Sequence, residues 1–181
     1  MLKKTFAVAI LVGLIGSIAF AQEHTEWTSF TSPEGRFTVL MPTKPELEIK
    51  NSDTPQGTLV LHLASATNDN GYFLVSYNDY PNLDASNLQT ALEAAQKGAL
   101  ESLGGDLISS HKISLGDNPG LEFSAKKISK DSEVSKDSEI IANARYYFVG
   151  HRLYQVLVLT YKAHADSPDI QKFLNSFQLA N

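Results

Sequence analysis

The stretch IIANARYYFVGHRLYQVLVLTYK, residues 140–162, decides the fold because it has the pattern of two long β-strands joined at Gly150-His151. If those two residues form the tight loop, Val149 faces Arg152 and each earlier residue pairs in turn with a later one. One face of this hairpin is then apolar apart from Gln155, and the other is apolar at the far end and polar-aromatic near the turn. A strand with only one buried face alternates more cleanly, so we expect this hairpin at the centre of a sheet covered on both sides.

Four side chains near the predicted turn form the candidate partner-binding surface: Arg145, Tyr147, Arg152 and Tyr154. The alternation of side chains along strands places them on one face of the hairpin. Arg and Tyr are favoured interface anchors because they combine a large contact area with directional hydrogen bonds. In the alternative interpretation, a helix covers this face and the two Arg side chains only extend past it to solvent.

The composition fits one packed domain and argues against several kinds of partner. The chain has 181 residues, 43% of them hydrophobic, and a formal charge of -5. An acidic balance gives no general attraction to nucleic acid or anionic lipid. The sequence contains no cysteine, which excludes disulfides, thiolate metal ligands and a cysteine nucleophile.

Residues 1–21 have the three-part pattern of a signal peptide: basic Lys3 and Lys4, an apolar run, and Ala19-Phe20-Ala21. We expect cleavage after Ala21 and a periplasmic or extracellular protein without a stable membrane span. The alternative is an uncleaved N-terminal anchor helix. Cleavage leaves 13 basic against 20 acidic side chains and a charge of -7.

The rest of the chain alternates strands and two helices. We expect a polar segment at 22–29 and then a hairpin at 30–41. Further strands are expected at 57–65, 72–77, 107–115 and 121–128. One helix is expected from 88 to 103, and a last helix has Ser167 as cap and Pro168 at its first position. This order predicts an α+β fold, an α-β-α sandwich with a largely antiparallel sheet and helices on its faces.

A tandem hexapeptide interrupts this pattern. SKDSEV at 129–134 and SKDSEI at 135–140 are identical in five of six places. The unit is far too short to be a solenoid repeat, so we expect a charged, solvated loop at 129–139. The alternative is a charged docking loop.

Several short motifs resemble the PsbP-like superfamily of exported bacterial proteins. They are FTSPEGRF at 30–37, MP at 41–42 with Pro45, NPGLEF at 118–123, RLYQV at 152–156 and FLNSF at 173–177. The resemblance covers most of the mature chain and implies that 30–181 form a single PsbP-like domain, an α-β-α sandwich on an antiparallel sheet. Members are generally non-enzymatic accessory or binding proteins. No functional site of the superfamily matches this sequence residue by residue, so the resemblance assigns no site residue here.

The sequence predicts no catalytic residue, no metal ligand set and no cofactor. Ser110 and His111 are adjacent on a strand and point to opposite faces, and no Gly-x-Ser-x-Gly turn exposes a nucleophile. No glycine-rich loop precedes a helix in the manner of a phosphate site.

Three functional hypotheses follow. The first is an exported, non-catalytic accessory or binding domain with a protein partner in the cell envelope. The second is a carrier or sensor of a small apolar ligand between sheet and helix, near Ala91, Ala94, Ala95 and Ala99. The third, an enzyme, is metal-assisted hydrolysis around His164, Asp166 and Asp169. The sequence leaves the identity of the partner and the oligomeric state open.

Overall fold

The structure is a computed structural model that describes residues 27–54, 57–128 and 139–180. Within these ranges the chain forms ten β-strands and two α-helices. The strands are β1 (Thr28–Ser32), β2 (Phe37–Met41), β3 (Glu46–Thr54), β4 (Gly57–Asn68), β5 (Gly71–Asp79), β6 (Asp106–Leu115), β7 (Asn118–Ile128), β8 (Glu139–Val149), β9 (Arg152–Tyr161) and β10 (Gln178–Leu179); the helices are α1 (Leu88–Leu103) and α2 (Pro168–Ser176). The predicted signal peptide at 1–21 and residues 129–138 of the repeat lie outside the described residues, whereas Glu139 and Ile140, the end of the repeat, begin β8.

The larger sheet has seven antiparallel strands in the order β3-β4-β5-β9-β8-β7-β6. It consists of two meanders, β3 to β5 and β6 to β9, joined where β5 pairs with β9. Helix α1 is the crossover that carries the chain from β5 to the far edge at β6. A second sheet, β1-β2-β10, has three strands.

The register of the central hairpin confirms the sequence prediction. Val149 pairs with Arg152, Ala144 with Leu157, and Tyr146 with Gln155. Strand β9 is the fourth of seven strands, and most of its residues are buried on both faces. The absence of clean alternation in its sequence therefore reflects a central position.

The first face of the large sheet packs against α1, which contacts β7 and β8. The helix buries Leu92 and the small residues Ala95 and Ala99 against the sheet. Polar and glycine residues mark both ends of the helical segment. The Asp84 carboxylate accepts a hydrogen bond from the Ser86 N–H in the preceding 3-10 turn, and Gly104 ends the helix with a φ of 64°.

The second face carries a different layer, made of β2, β10 and α2. Phe37 from β2, Phe73 from β5 and Phe173 from α2 are all buried in one cluster. Phe73 and Phe173 meet edge to face, with ring centroids 5.3 Å apart. Ser167 caps α2 and Pro168 begins it, as the sequence predicts.

The predicted fold class, an α+β sandwich with helices on the faces of one sheet, is wrong. Strands make up 58% of the structure and helices 22%. The physical reason lies in residues 28–41, whose two strands do not join the large sheet. They form a separate three-stranded sheet with β10 and lie against the second face, so much of the covering layer is itself β-structure.

The sequence analysis missed two strands. β3 follows Pro45 and alternates charged and apolar residues, but it is an edge strand with exposed side chains on both faces, so its pattern is that of a solvated segment. β10 has two residues, Gln178 and Leu179, which pair with Thr38 and Phe37. A two-residue strand has no periodicity, and only its tertiary contact defines it.

Two buried tyrosines on β8 and β9 provide a matched test of the core. The Tyr154 hydroxyl donates to the Gly35 carbonyl at 2.7 Å, whereas the buried Tyr146 hydroxyl has no hydrogen-bond partner among the described residues. Tyr154→Phe leaves a buried carbonyl unsatisfied and should lower the free energy of unfolding by about 1–3 kcal/mol. Tyr146→Phe removes an unsatisfied polar group and should leave stability unchanged or higher.

Urea unfolding of both variants beside the wild type measures the difference. An equal loss of stability in the two variants would contradict this assignment of hydrogen bonds.

Candidate functional site

The structure places the four predicted partner-binding residues on the second face of the large sheet. Tyr147 and Tyr154 lie directly opposite each other on β8 and β9. Arg145 lies two residues from Tyr147 on β8, and Arg152 lies two residues from Tyr154 on β9. The four residues therefore share a face, as the hairpin register requires, but they have different environments.

The two tyrosines belong to the core under the C-terminal segment. Tyr147 stacks on Phe177, with centroids 6.0 Å apart and planes within 4°, and Tyr154 contacts the same ring at 5.5 Å. Burial raises the pKa of both phenols, so both remain neutral hydroxyls. Their contribution at this face is packing.

Arg145 holds the end of α2. Its Nη1 donates to the Leu174 carbonyl at 3.1 Å and to Asn175 Oδ1 at 2.8 Å, and its Nε donates to Glu122 Oε2. A cation beside the last carbonyls of a helix also complements the negative end of the helix dipole. This geometry matches the alternative in which a helix covers the face and Arg145 extends past it.

Arg152 makes a two-point ion pair with β5. Its Nε and Nη2 donate to the two oxygens of Asp79 at 2.7 and 2.8 Å, and its Nη1 donates to the Glu34 carbonyl at 2.9 Å. The guanidinium also lies 4.6 Å from the centroid of the Tyr77 ring. Hydrogen bonding from Arg152 holds the pKa of the Asp79 carboxyl below its usual value. Arg152 therefore ties β9 to β5 and to the β1–β2 turn.

An open groove of about 360 Å³ lies beside Arg152, where the β8–β9 turn meets the start of β2 and the C-terminus. We call it the turn groove. Its lining residues are Arg36, Asp79, Val149, His151, Arg152, Tyr154, Leu179 and Ala180. Two of the four predicted residues, Arg152 and Tyr154, thus line a concave surface.

Arg36 is the arginine of the groove whose N–H groups are not taken up by the fold, although its charge also acts on Asp79. Its side chain is exposed and makes no hydrogen bond or ion pair with any residue that the structure describes. Its backbone has a φ of 53°, in the left-handed region, and its carbonyl accepts from the Ala180 N–H at 2.8 Å. A non-glycine residue in this region is uncommon, and such strain is frequent at functional sites.

The charge balance of the groove is opposite to that of the chain. Two guanidiniums, Arg36 and Arg152, stand beside one carboxylate, Asp79, while the chain as a whole carries a formal charge of -5. The nearby Glu34 carboxylate lies 4.0 Å from His62 Nδ1. The groove therefore combines the exposed guanidinium of Arg36, a concave shape and the exposed imidazole of His151, and these features favour an anionic group.

Sequence reasoning missed six of the eight lining residues, among them Arg36, Asp79 and His151. Asp79 and Arg36 reach the groove only through contacts between segments far apart in the chain, and nothing in their local sequence indicates this position. The predicted Gly150-His151 loop did place His151 at the hairpin turn, so the sequence contained a signal for this residue that was not used.

Of the three residues in the metal hypothesis, Asp169 connects two elements, whereas His164 and Asp166 are exposed. Asp169 Oδ2 accepts from Asn68 Nδ2 and from Asn70 Nδ2, each at 2.8 Å. These bonds join the β4–β5 turn to the first turn of α2. In the described ranges no three His, Asp or Glu side chains form a group that could hold a metal ion. This arrangement gives the metal-assisted hydrolase no supporting geometry.

The hypothesis of an apolar ligand requires a cavity of roughly 300 Å³ or more. Between α1 and the sheet, the described residues enclose an apolar cavity of about 20 Å³, lined in part by Ala99, Phe123 and Tyr146. This space is too small for such a ligand.

None of the helices in the described ranges is both long and apolar enough to cross a membrane.

Comparison with known proteins identifies the fold. The solution structure of cyanobacterial PsbP (CyanoP) from Synechocystis sp. PCC 6803 matches with a TM-score of 0.57 and 10% identity, over 91% of this chain and 98% of that chain. A crystal structure from Bacteroides thetaiotaomicron VPI-5482 has a TM-score of 0.48 and 12% identity, over 88% of this chain and 50% of that chain, which is too low to support an argument. No family model and no curated protein matches the sequence. The chain has a PsbP-like fold.

The pair between Asp79 and Arg152 predicts a specific pH dependence. Asp79→Asn should lower the free energy of unfolding at neutral pH by about 1 kcal/mol or less, because the carboxylate is partly exposed and screened. The pKa of Asp79 is lowered by folding, so the pair stabilises above the unfolded-state pKa and loses this effect as the pH falls through the folded-state value. The difference between variant and wild type should therefore shrink in acid.

Urea unfolding at about pH 7 and about pH 3 tests this prediction. Asp117→Asn is the control, since this exposed turn carboxylate makes no ion pair within the described ranges. A difference for Asp79→Asn that stays constant with pH would contradict the assigned role.

Proposed function

We propose that this protein is an exported, non-catalytic accessory domain of the cell envelope, and that it binds an acidic segment of a partner protein in the turn groove. The PsbP-like fold supports the accessory role by analogy alone. The signal-peptide pattern of residues 1–21 supports export. The proposed binding of an acidic segment rests on the geometry of the turn groove.

The single observation that carries the binding proposal is the exposed guanidinium of Arg36 at the groove, whose N–H groups donate to no residue that the structure describes. Arg145 and Arg152 are occupied by intramolecular bonds to Glu122 and Asp79, whereas the N–H groups of the exposed Arg36 side chain are available as donors. Guanidinium recognises carboxylates in a planar, two-point geometry. Tyr154, Val149 and Leu179 supply adjoining wall surface, so an acidic side chain flanked by apolar residues fits this groove.

The proposal gives Arg152 a positioning role. Its bonds to Asp79 and to the Glu34 carbonyl fix the β1–β2 turn against β5 and β9, and Arg36 is the last residue of this turn. Binding should therefore depend on Arg36 directly and on Arg152 through the shape of the groove.

Charge reversal at Arg36 tests the binding proposal. Affinity capture from envelope extract identifies the partner by mass spectrometry, and titration calorimetry then measures the purified pair. Arg36→Glu should weaken binding about tenfold or more, because a carboxylate of the partner would face a like charge. Affinity of the wild type should fall as salt increases.

Lys97→Glu is the matched control, since it makes the same change of charge on the exposed face of α1. Equal loss of binding in both variants would assign the effect to net charge and overturn the role of the groove. Unchanged binding by Arg36→Glu would overturn it as well.

Export has its own test. When the full-length chain is expressed with its first 21 residues intact, the mature protein should be recovered outside the cytoplasm with Gln22 at its N-terminus. N-terminal sequencing of the fractionated protein provides the measurement. Recovery of the uncleaved chain in the cytoplasm would contradict export, and recovery of an uncleaved chain in the membrane would support the anchor alternative.

A further inference from the structure

We propose that the edge strand β3 pairs with β3 of a second copy of this chain, antiparallel and centred on Ile49, so that two large sheets join into one. This surface is distinct from the turn groove. It is formed by the outer side of β3, together with Val60 on the neighbouring strand β4.

β3 is an open edge with exposed apolar side chains. It is the first strand in the order of the seven-stranded sheet, so one side of its backbone has no strand neighbour in the described sheet. Leu47 is 68% exposed, Ile49 64% and Val60 45%. Such an edge presents unpaired N–H and C=O groups that favour the addition of another strand.

The exposed apolar residues lie together on one face. Leu47, Ile49 and Asn51 alternate along β3, and Val60 is directly opposite Asn51 on β4. On the other face of β3, Glu48 and Lys50 form an ion pair with an N–O distance of 3.0 Å. The edge therefore has an apolar side and a charged side.

The order of charges selects one register. In a two-fold antiparallel pair centred on Ile49, Glu48 lies opposite Lys50 of the second copy, and Lys50 lies opposite its Glu48. Directly opposite unlike charges stabilise a strand pair, and like charges destabilise it. A shift of the centre to Glu48 or to Lys50 sets a charge opposite itself, and a shift to Leu47 sets Glu46 opposite Glu48.

The same register brings the exposed apolar side chains of the two copies together. Ile49 meets Ile49 of the second copy, and Leu47 lies opposite its Asn51, beside its Val60. Six exposed apolar side chains, three from each copy, then form one cluster. The two-fold symmetry makes this an isologous interface, the commonest kind in homo-oligomers. Backbone pairing, charge and apolar contact thus agree on a single arrangement.

The opposite edge of the sheet is built differently. β6 also exposes apolar residues, Leu107 and Ile108, but its pairing with β7 is shifted between Leu107 and Ser109. A β-bulge and an edge lysine, here Lys112, are devices that discourage edge-to-edge pairing. This edge therefore supplies the matched control.

A dimer held by one nine-residue strand is smaller than a standard interface, so its dissociation constant should be in the micromolar range. Sedimentation equilibrium of the purified mature chain should show a monomer–dimer equilibrium. Ile49→Lys should give a monomer, and Ile108→Lys on β6 should leave the dimer intact. Circular dichroism of both variants establishes that they fold.

Charge reversal tests the register. Glu48→Lys and Lys50→Glu, each alone, should weaken the dimer about tenfold or more. The double variant Glu48→Lys/Lys50→Glu restores both opposite pairs and should restore dimerisation. The double variant also restores the ion pair within each strand. An equimolar mixture of the two single variants lacks that pair in both copies but sets unlike charges opposite each other across the interface, so its dimerisation separates the register from monomer stability.

The absence of cysteine allows a geometric test. Ile49→Cys introduces the chain's sole thiol at the two-fold axis, where directly opposite Cβ atoms lie within about 4.5–5.5 Å. Mild oxidation should give a covalent dimer much faster than with Ile108→Cys.

A wild-type chain that stays monomeric up to about 1 mM would overturn the proposal. So would a double reversal that fails to rescue, or equal cross-linking rates at the two edges. All of these measurements use purified protein, so they stand independently of the partner proposed for the turn groove.

Discussion

Burial of both faces of β9 is the constraint on which the rest of the structure depends. Leu153 and Leu157 point into the cluster beneath α1, while Val156 and Val158 point into the cluster beneath β2 and α2. A strand that is apolar on both sides requires a covering layer on each side. The chain supplies one layer with the crossover helix and the other with a small sheet and a short helix, and neither cluster contains a disulfide.

Charged side chains near the central hairpin mostly maintain this arrangement. Arg145 fixes the end of α2, and Arg152 fixes β5 and the β1–β2 turn. A buried or half-buried cation needs such partners, because an unpaired charge is costly to desolvate. Arg36 differs in being exposed, in having a left-handed backbone conformation, and in making no side-chain hydrogen bond within the described ranges. The side-chain donors of Arg36 are thus available to a ligand in the turn groove.

The two edges of the large sheet show how far side chains control association. On β6 a shifted register and Lys112 interrupt the regular edge. On β3 the charged residues are compatible with self-pairing, because Glu48 and Lys50 are symmetric about Ile49. Edge charges are usually regarded as protection against pairing, but their sign and spacing decide whether they repel a second copy or align it.

The sequence by itself determined those elements that depend on residues close together in the chain. The apolar pattern located both helices, Ser167 and Pro168 marked the start of the second, and the Gly150-His151 loop set the register of the central hairpin. Only the tertiary structure decided that residues 28–41 form a second sheet, that β3 is a strand and that Arg36 meets Arg152 in a groove. These features depend on contacts between distant segments, and a sequence pattern reports the burial of a side chain without reporting what covers it.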